Sequence, residues 1–480
     1  MVWPSHSYSG RNSLQPTPQS EPTLRRALGL WAAIAIVIGT AIGSGIFLVP
    51  SDMVKAVGSP GMVFVVWVFG GILTLFGALT YAELSAALPD AGGEYVYLTA
   101  AYGPFFGFIY GWTQTWVAKA ASIATLATGF YTYLADFLPG LKVVSYTIPL
   151  PIGPGGSSLE IRYGQLLGIG LILFLASVNY LGVRVGGGVQ IFVTVLKLGL
   201  IGGLIVAGLS SSHGNTANFH LGIPADPGGI PGFFAALVAA LWAYDGWNNA
   251  GMLGSEIERP QRNLPLALIS GTLMMIAVYL LTNLAYFYVL SGAEVGASER
   301  VAATMMRRVM GQPGGAVVSV AAMISIFAAL NGSILSGSRV PFAMARDGLF
   351  FKSMSRVHPA FRTPAASILL LSVWSCLILL TGKYQQLYTL VIFPSWILYG
   401  MTAASVIVLR IRRPDLNRPY RVLGYPVVPA IFVLVAIALL YSTLMSSPRE
   451  SGIGLVLIIA GLPFYFFWKK RLPAEKEKLT

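Results

Sequence analysis

Two apolar stretches of this chain are each interrupted near their middle by glycine and polar residues. The first, residues 27–51, contains GTAIGSG at residues 39–45, and the second, residues 231–255, contains WAYDG at residues 242–246. Each stretch is long enough to cross a bilayer, which takes about 20 apolar residues. Unwound backbone is tolerated in hydrocarbon only where it lines a protein cavity. Two interrupted spans at corresponding positions of two halves therefore predict a transporter binding site.

The composition indicates an all-α integral membrane protein. Hydrophobic residues make up 55% of the 480 residues and charged residues only 10%, whereas soluble domains carry about 25% charged residues. Long charge-free intervals separate the few charges. They predict twelve spans, at about 28–57, 62–88, 96–135, 163–183, 187–210, 231–257, 264–291, 314–346, 365–382, 385–411, 426–447 and 451–469.

The net charge of +13 fits a membrane topology and gives no reason to expect a nucleic-acid partner. With both termini inside, twenty of the 31 Lys and Arg residues fall in cytoplasmic segments and eight in outer ones. Cytoplasmic loops of membrane proteins carry such an excess. We therefore expect a multi-pass protein of the cell (inner or plasma) membrane, surrounded by lipid, with cytoplasmic N and C termini.

The segments outside the spans are short. Residues 1–24 are rich in Ser and Pro and predict a flexible cytoplasmic tail, while residues 470–480 form a charged C-terminal tail. The longest connections, 136–162 and 211–230, predict Gly/Pro/Ser-rich loops. The single cysteine, Cys376, allows no disulfide within the chain.

The interrupted spans suit a small zwitterion. A half-helix that restarts at Ile46 presents amide groups without intrahelical partners and the positive end of its dipole, which favour a carboxylate. The half-helix that ends near residues 40–42 leaves carbonyl groups of opposite polarity for an ammonium group, and residues 243–246 add a second set. The pattern predicts an α-amino acid bound mainly by main-chain atoms, with no cofactor and no metal.

Alternatives exist for each of these residues. Gly39 and Gly43 form a GxxxG pair, which favours close helix packing, although the pairing of two breaks favours a site. Asp245 is an intramembrane acid, a functional candidate by default. It either contacts the substrate amine, relays a proton or caps a half-helix that begins at Gly246. Trp242 is either a shutter over the substrate or part of the aromatic core.

Three basic residues lie inside predicted spans. Lys197 is too deep to reach either membrane surface, so we expect its ammonium to meet carbonyls of a broken helix or hydroxyls of the eighth span. There it would replace a metal ion or titrate. Lys119 is a weaker case of the same kind. Arg339, near a cytoplasmic end, is interpreted as mostly structural.

Taken together, these motifs resemble the L-type amino acid transporter (LAT) family of the amino acid–polyamine–organocation (APC) superfamily, in the form of a bacterial-type member. The match covers about residues 25–445 and includes GTAIGSGIF at residues 39–47, AYDGWN at residues 243–248, GGEY at residues 92–95, NGS at residues 331–333 and ARDG at residues 345–348.

The resemblance implies a LeuT-type fold of twelve helices. Spans 1–5 (residues 25–210) and 6–10 (residues 231–411) would form a 5+5 inverted repeat, and two C-terminal helices (residues 426–469) would follow. The implied activity is sodium-independent exchange of amino acids by alternating access, and not an enzymatic reaction.

The resemblance also implies roles for individual residues. The amides of Ser44 and Gly45 would bind the substrate carboxylate, the carbonyls of Ala41 and Trp242 the amine, and Trp242 would serve as the gate. Lys197 would stand in place of a second sodium site, and Ser325 and Ser395 would face the side-chain pocket. The predicted substrate-binding residues are Thr40, Ala41, Ile42, Gly43, Ser44, Gly45, Trp242, Ala243, Asp245, Ser325 and Ser395.

Two features bear on partners and selectivity. Residues 136–162 lack the loop cysteine by which animal light chains of the family bind a glycoprotein, so we expect no disulfide-linked ancillary subunit. The modest, partly polar pocket favours small neutral amino acids. The alternative is a proton-coupled or uniport carrier of cationic amino acids or polyamines, since Asp245 is nearby.

Other classes fit the sequence less well. A facilitator-superfamily transporter would show a long central loop, and a membrane enzyme would need a catalytic cluster, whereas all four His residues fall in tails or loops. Nothing marks the selectivity ring of a channel. A sodium symporter is the nearest mechanistic rival, and Lys197 disfavours it.

Overall fold

The computed structural model of the protein describes residues 22–150, 157–220, 228–381 and 384–471. The predicted tails lie almost entirely outside these ranges. Within the described residues the chain is mostly α-helical, with a single two-stranded sheet.

The first half of the described chain begins with a broken helix. Helices α1 and α2 meet at 44° and together form one span, and a π-helical turn, Gln114–Ala118, joins α5 to α6. The helices are α1 (Leu30–Ala41), α2 (Gly45–Val57), α3 (Pro60–Ala87), α4 (Glu94–Tyr102), α5 (Pro104–Thr113), α6 (Lys119–Leu134), α7 (Tyr163–Tyr180) and α8 (Val183–Leu209).

The predicted span 96–135 is wrong at its start. Helix α4 is a separate nine-residue helix that ends before Gly103, which has a φ of 95°. Pro104 then occupies the first turn of α5. Because proline disfavours helical angles at the residue before it and removes a donor, the two helices cannot merge.

The predicted loop 136–162 also contains regular structure. A 3₁₀ turn, Pro139–Lys142, precedes a hairpin of β1 (Val144–Leu150) and β2 (Ser157–Arg162). The strands are antiparallel, with Thr147 opposite Glu160. β-Branched residues in this segment favour the extended backbone, a signal that the Gly/Pro/Ser content concealed.

The second half begins with another interrupted span. Helix α9 ends at Tyr244, and the rest of the predicted span 231–257 is not α-helical but holds a 3₁₀ turn, Asn249–Met252. The helices are α9 (Gly229–Tyr244), α10 (Pro260–Val289), α11 (Gly292–Ala297), α12 (Val301–Met310), α13 (Gln312–Gly337), α14 (Arg339–Arg346), α15 (Ala365–Thr381), α16 (Tyr384–Arg412), α17 (Val427–Ser446), α18 (Pro448–Ile459) and α19 (Leu462–Lys469).

Each of the twelve predicted spans overlaps at least one of the described helices. Eight are long and apolar enough to cross a bilayer by themselves, counting α13–α14 and α18–α19 as one each, and the α1–α2 pair makes a ninth. The shorter apolar helices α9 and α15 and the joined α5–α6 segment correspond to the remaining three.

An aromatic cluster packs beside the two interruptions. The rings of Trp67, Tyr244 and Tyr279 lie with centroids 5.0–5.6 Å apart, and all three side chains are buried. The Tyr244 hydroxyl donates to the Trp67 carbonyl at 3.1 Å. This cluster fixes α3, α9 and α10 around the place where α1 and α9 end.

Candidate functional site

A cavity of about 40 Å³ lies between the two interrupted spans. One water molecule needs roughly 10–15 Å³ on this measure, so the cavity has room for a small ligand. Half of the lining residues are polar. The lining residues are Thr40, Ala41, Gly43, Ser44, Gly45, Lys119, Ser122, Leu126, Trp242, Ala243, Asp245, Gly246, Asn249 and Ser333.

The break in the first span falls where the glycine pattern predicts it. Helix α1 ends at Ala41, Ile42 adopts an extended conformation with a ψ of 92°, and α2 begins at Gly45. The amides of Gly45 and Ile46 therefore have no partner within their own helix, whereas the Phe47 amide donates to the Ser44 carbonyl at 3.1 Å. This helix end borders the cavity, and the N-terminal end of a helix favours an anionic group.

Close contact between the two breaks requires glycine at two positions. A Cβ atom at Gly45 would lie 2.8 Å from the Cβ of Ala243, and one at Gly246 would lie 3.1 Å from the main chain of Thr40. Gly246 also has a φ of +99°, which other residues rarely adopt. These glycines let the two unwound segments touch across the cavity.

Side chains bridge the two breaks as well. The Thr40 hydroxyl lies 2.8 Å from the Gly246 carbonyl oxygen, and the Tyr279 hydroxyl donates to the Ala243 carbonyl at 2.5 Å. The same hydroxyl lies 3.3 Å from the Ala41 carbonyl. The unwound backbone is thus partly hydrogen-bonded by the protein itself, as buried carbonyl groups require.

Lys197 binds carbonyls of the first break, which confirms that part of the prediction. Its Nζ donates to the carbonyls of Gly39 at 2.9 Å and Ile42 at 2.6 Å, and the side chain is fully buried. Ser325 does not line the cavity as expected. Its hydroxyl lies 2.9 Å and 3.1 Å from the carbonyls of Ile42 and Gly43, so it supports the break from behind.

Ile42 and Ser395 are likewise absent from the cavity wall. Ile42 has no exposed surface, and its carbonyl points to Lys197. Ser395 lies in α16 with 5% exposure, outside the lining described above. In a helix the direction of a side chain depends on rotation about the axis, which spacing from a distant motif does not fix.

Asp245 lines the cavity but caps no helix. It follows the last residue of α9, and the next helical residues, Asn249–Met252, have Asn248 at their N-cap. The hydroxyl of Tyr399 donates to Asp245 Oδ1 at 2.7 Å. The capping interpretation is therefore wrong, because the chain stays unwound after Gly246.

Helix α6 supplies lining residues that the sequence analysis did not assign to the site. Lys119 Nζ donates to Asn249 Oδ1 at 2.8 Å, and Ser122 and Leu126 line the cavity with it. The spacing 119, 122, 126 places these three side chains on one helix face, and this spacing was the available signal. For Asn249 and Ser333 the sequence offered no comparable signal.

Trp242 lines the cavity and packs against small residues. It packs against Ala118 and Ala121 of the third span. The indole therefore sits between the unwound part of the second broken span and α6. This position is compatible with a movable shutter as well as with a packed aromatic residue.

A buried ion pair links the segment after the second break to the eighth span. The Arg339 guanidinium donates to both carboxylate oxygens of Glu256 at 2.7 Å and 2.8 Å, and both side chains have no exposed surface. The Glu256 carbonyl accepts from the amides of Ala27 and Leu28. Arg339 therefore makes the contacts expected of a structural residue, and the chain before α1 is fixed to the same point.

Comparison with known proteins adds independent information. The profile of the family described as amino acid permease matches residues 28–466. The serine/threonine exchanger SteT of Bacillus subtilis is 36% identical over 453 residues, which cover 93% of this chain and 98% of SteT. The human b(0,+)-type amino acid transporter 1 is 33% identical, covering 95% of this chain and 90% of the relative. The human cystine/glutamate transporter is 30% identical, with coverages of 95% and 88%.

Proposed function

Because the chain belongs to the amino acid permease family, in the LAT branch of the APC superfamily, we propose that it exchanges small neutral L-amino acids across the plasma membrane without sodium. The protein is a membrane transporter with the LeuT-type fold, and not an enzyme. The observation that carries the proposal is the cavity at which the amide end of α2 meets the carbonyl ends of α1 and α9.

In this proposal the two halves of the chain alternate access to the cavity. Residues 25–210 and 231–411 are the inverted repeats, and residues 426–469 are the two additional helices. Both termini are cytoplasmic. The positions of the two broken spans, each at the start of its half, support this division, since transporters of this kind bind substrate at the interface between repeats.

The substrate's backbone groups are bound by main-chain atoms. The amides of Ser44 and Gly45 receive the carboxylate at the positive end of α2. The carbonyls of Ala41 and Trp242 receive the ammonium group. The Trp242 carbonyl already accepts from the Asp245 amide at 3.2 Å but retains a second lone pair for a substrate. The Trp242 indole closes the cavity during transport.

Lys197 supports the proposal of sodium independence. Its ammonium donates to two carbonyls at the first break, Gly39 and Ile42, and so occupies oxygen atoms of the kind that bind a hard cation such as sodium. A covalently attached cation cannot dissociate with the substrate. The transport cycle then depends on substrate binding on either side of the membrane, which is the behaviour of an exchanger.

The name of one relative supports the substrate class. A serine/threonine exchanger is among the similar proteins, and serine and threonine are small neutral amino acids that suit a cavity of about 40 Å³. The alternative, a proton-coupled or uniport carrier of cationic amino acids or polyamines, is favoured by one observation, the presence of Asp245 in the wall. We propose a transporter without a disulfide-linked ancillary subunit, since residues 136–162 contain no cysteine.

The proposal is tested by uptake of labelled serine into proteoliposomes that are either empty or preloaded with unlabelled serine, with and without a sodium gradient. We expect uptake only into preloaded vesicles, unaffected by sodium. A matched control is the Gly45→Val variant, in which the added Cβ would lie only 2.8 Å from that of Ala243 and would force the two breaks apart. Uptake of serine into empty vesicles would contradict exchange, and a sodium requirement would contradict the role of Lys197.

A further inference from the structure

The cavity wall contains one cationic and one anionic side chain that do not pair with each other. Lys119 and Asp245 both line it. Among the ion pairs of the described residues, each within 4.0 Å, neither side chain takes part. Lys119 instead donates to the amide oxygen of Asn249, and Asp245 accepts from the hydroxyl of Tyr399.

Both charged side chains are thus hydrogen-bonded by neutral groups of the protein and not by each other. Lys119 projects from α6, and Asp245 belongs to the unwound segment after α9. Another buried carboxylate, Glu94, accepts from Asn248 and Tyr110 and does not line the cavity. The cavity wall itself therefore contributes one positive and one negative formal charge.

We propose that this opposed pair is the specificity determinant for side-chain charge: Lys119 excludes cationic amino acids and Asp245 excludes anionic ones. The inference rests on the proposed function and identifies which residues restrict it to uncharged substrates. It also accounts for why an acid in the wall does not by itself make the protein a carrier of cationic amino acids.

The physical reason is a balance of charges in a region of low dielectric. A charged substrate side chain is attracted by one wall residue and repelled by the other, so the two interactions largely cancel. Its desolvation cost is not offset. An uncharged side chain avoids that cost. A hydroxyl is especially well matched, because it can donate to a carboxylate and accept from an ammonium group.

The test removes one charge at a time. Exchange of labelled serine in proteoliposomes is competed by 2,4-diaminobutyrate, a short cationic amino acid, and by aspartate, a short anionic one. Lys119→Met should raise the potency of diaminobutyrate relative to unlabelled serine by about tenfold or more, because an unopposed carboxylate remains. Asp245→Asn should likewise raise the potency of aspartate relative to unlabelled serine, because an unopposed ammonium group remains. The double variant, which is again balanced, should return to the wild-type preference.

The double variant and Ser122→Ala are the controls for a merely structural role. Ser122 lines the cavity beside Lys119 without charge, so its replacement should leave the ratio of the two competitors unchanged. A single variant that fails in exchange is assayed for binding in detergent, by the thermal shift that serine, aspartate and diaminobutyrate each produce.

The outcomes separate this inference from the proposed function. Suppose that the wild-type protein exchanges serine but the competition profiles of the single variants do not change, or change alike. This result overturns the role of the charge pair and leaves the proposed function standing. A wild-type protein that accepts either charged competitor as well as serine overturns that role too. A wild-type protein that exchanges no amino acid overturns the proposed function, and the inference with it.

Discussion

Replacement of Lys197 by methionine tests whether its ammonium holds the first break in its transporting geometry. The variant keeps most of the side-chain volume but loses both donations to main-chain carbonyls, at 2.9 Å to Gly39 and 2.6 Å to Ile42. Ile42 keeps the Ser325 hydroxyl as a partner at 2.9 Å. The uncompensated loss is therefore about one charge-assisted hydrogen bond, at Gly39, worth roughly 1.5–3 kcal/mol.

If that free energy is needed in the rate-limiting conformational step, the exchange rate falls by roughly ten- to a hundredfold, since about 1.4 kcal/mol changes a rate tenfold. Removal of the buried ammonium also removes its desolvation cost, so thermal unfolding in detergent should change little. The assay is the initial rate of serine exchange at equal protein density. The matched control is Ser325→Ala, which removes the neutral donor and leaves the cation. A wild-type rate in Lys197→Met would refute the reasoning.

Three other perturbations have outcomes that follow from the structure. Gly45→Val should abolish transport in a folded protein, because its Cβ would lie 2.8 Å from that of Ala243; undiminished serine binding in this variant would exclude the main-chain site. Arg339→Met leaves the Glu256 carboxylate buried and unpaired, so the free energy of unfolding should fall by about 3–5 kcal/mol, measured by thermal unfolding, and Arg339→Met with Glu256→Gln should recover much of the loss. Arg308 donates hydrogen bonds to Glu294 and lowers the pKa of that carboxyl from 4.5 to about 2. The pair therefore stabilises the folded state above pH 4.5, and this stabilisation is lost as the pH falls towards 2. Because this pair is exposed, the stabilisation is under about 1 kcal/mol. Thermal unfolding measured over a pH series should show it in the wild-type protein and not in Glu294→Gln. A difference in stability between the two proteins that grows below pH 4 would contradict the assignment.

The membrane class and the positions of the breaks follow from sequence because local physics fixes them. A bilayer requires long apolar helices, and the run from Gly39 to Gly45 weakens a helix wherever it occurs. The end of α1 at Ala41 and the start of α2 at Gly45 therefore agree with the glycine pattern. The contact of Lys197 with carbonyls was predictable too, since a cation buried so deeply needs acceptors nearby.

The composition of the cavity wall was decided by tertiary structure. Ser325 faces the back of the break and Lys119 faces the cavity, although both are polar residues inside apolar helices, because helix rotation and crossing depend on packing among many spans. Asp245 bonds to Tyr399, 154 positions further along the chain. The sequence by itself determined that this protein crosses the membrane and where its helices unwind. Only the fold decided which side chains meet there, because those contacts join residues that no local pattern relates.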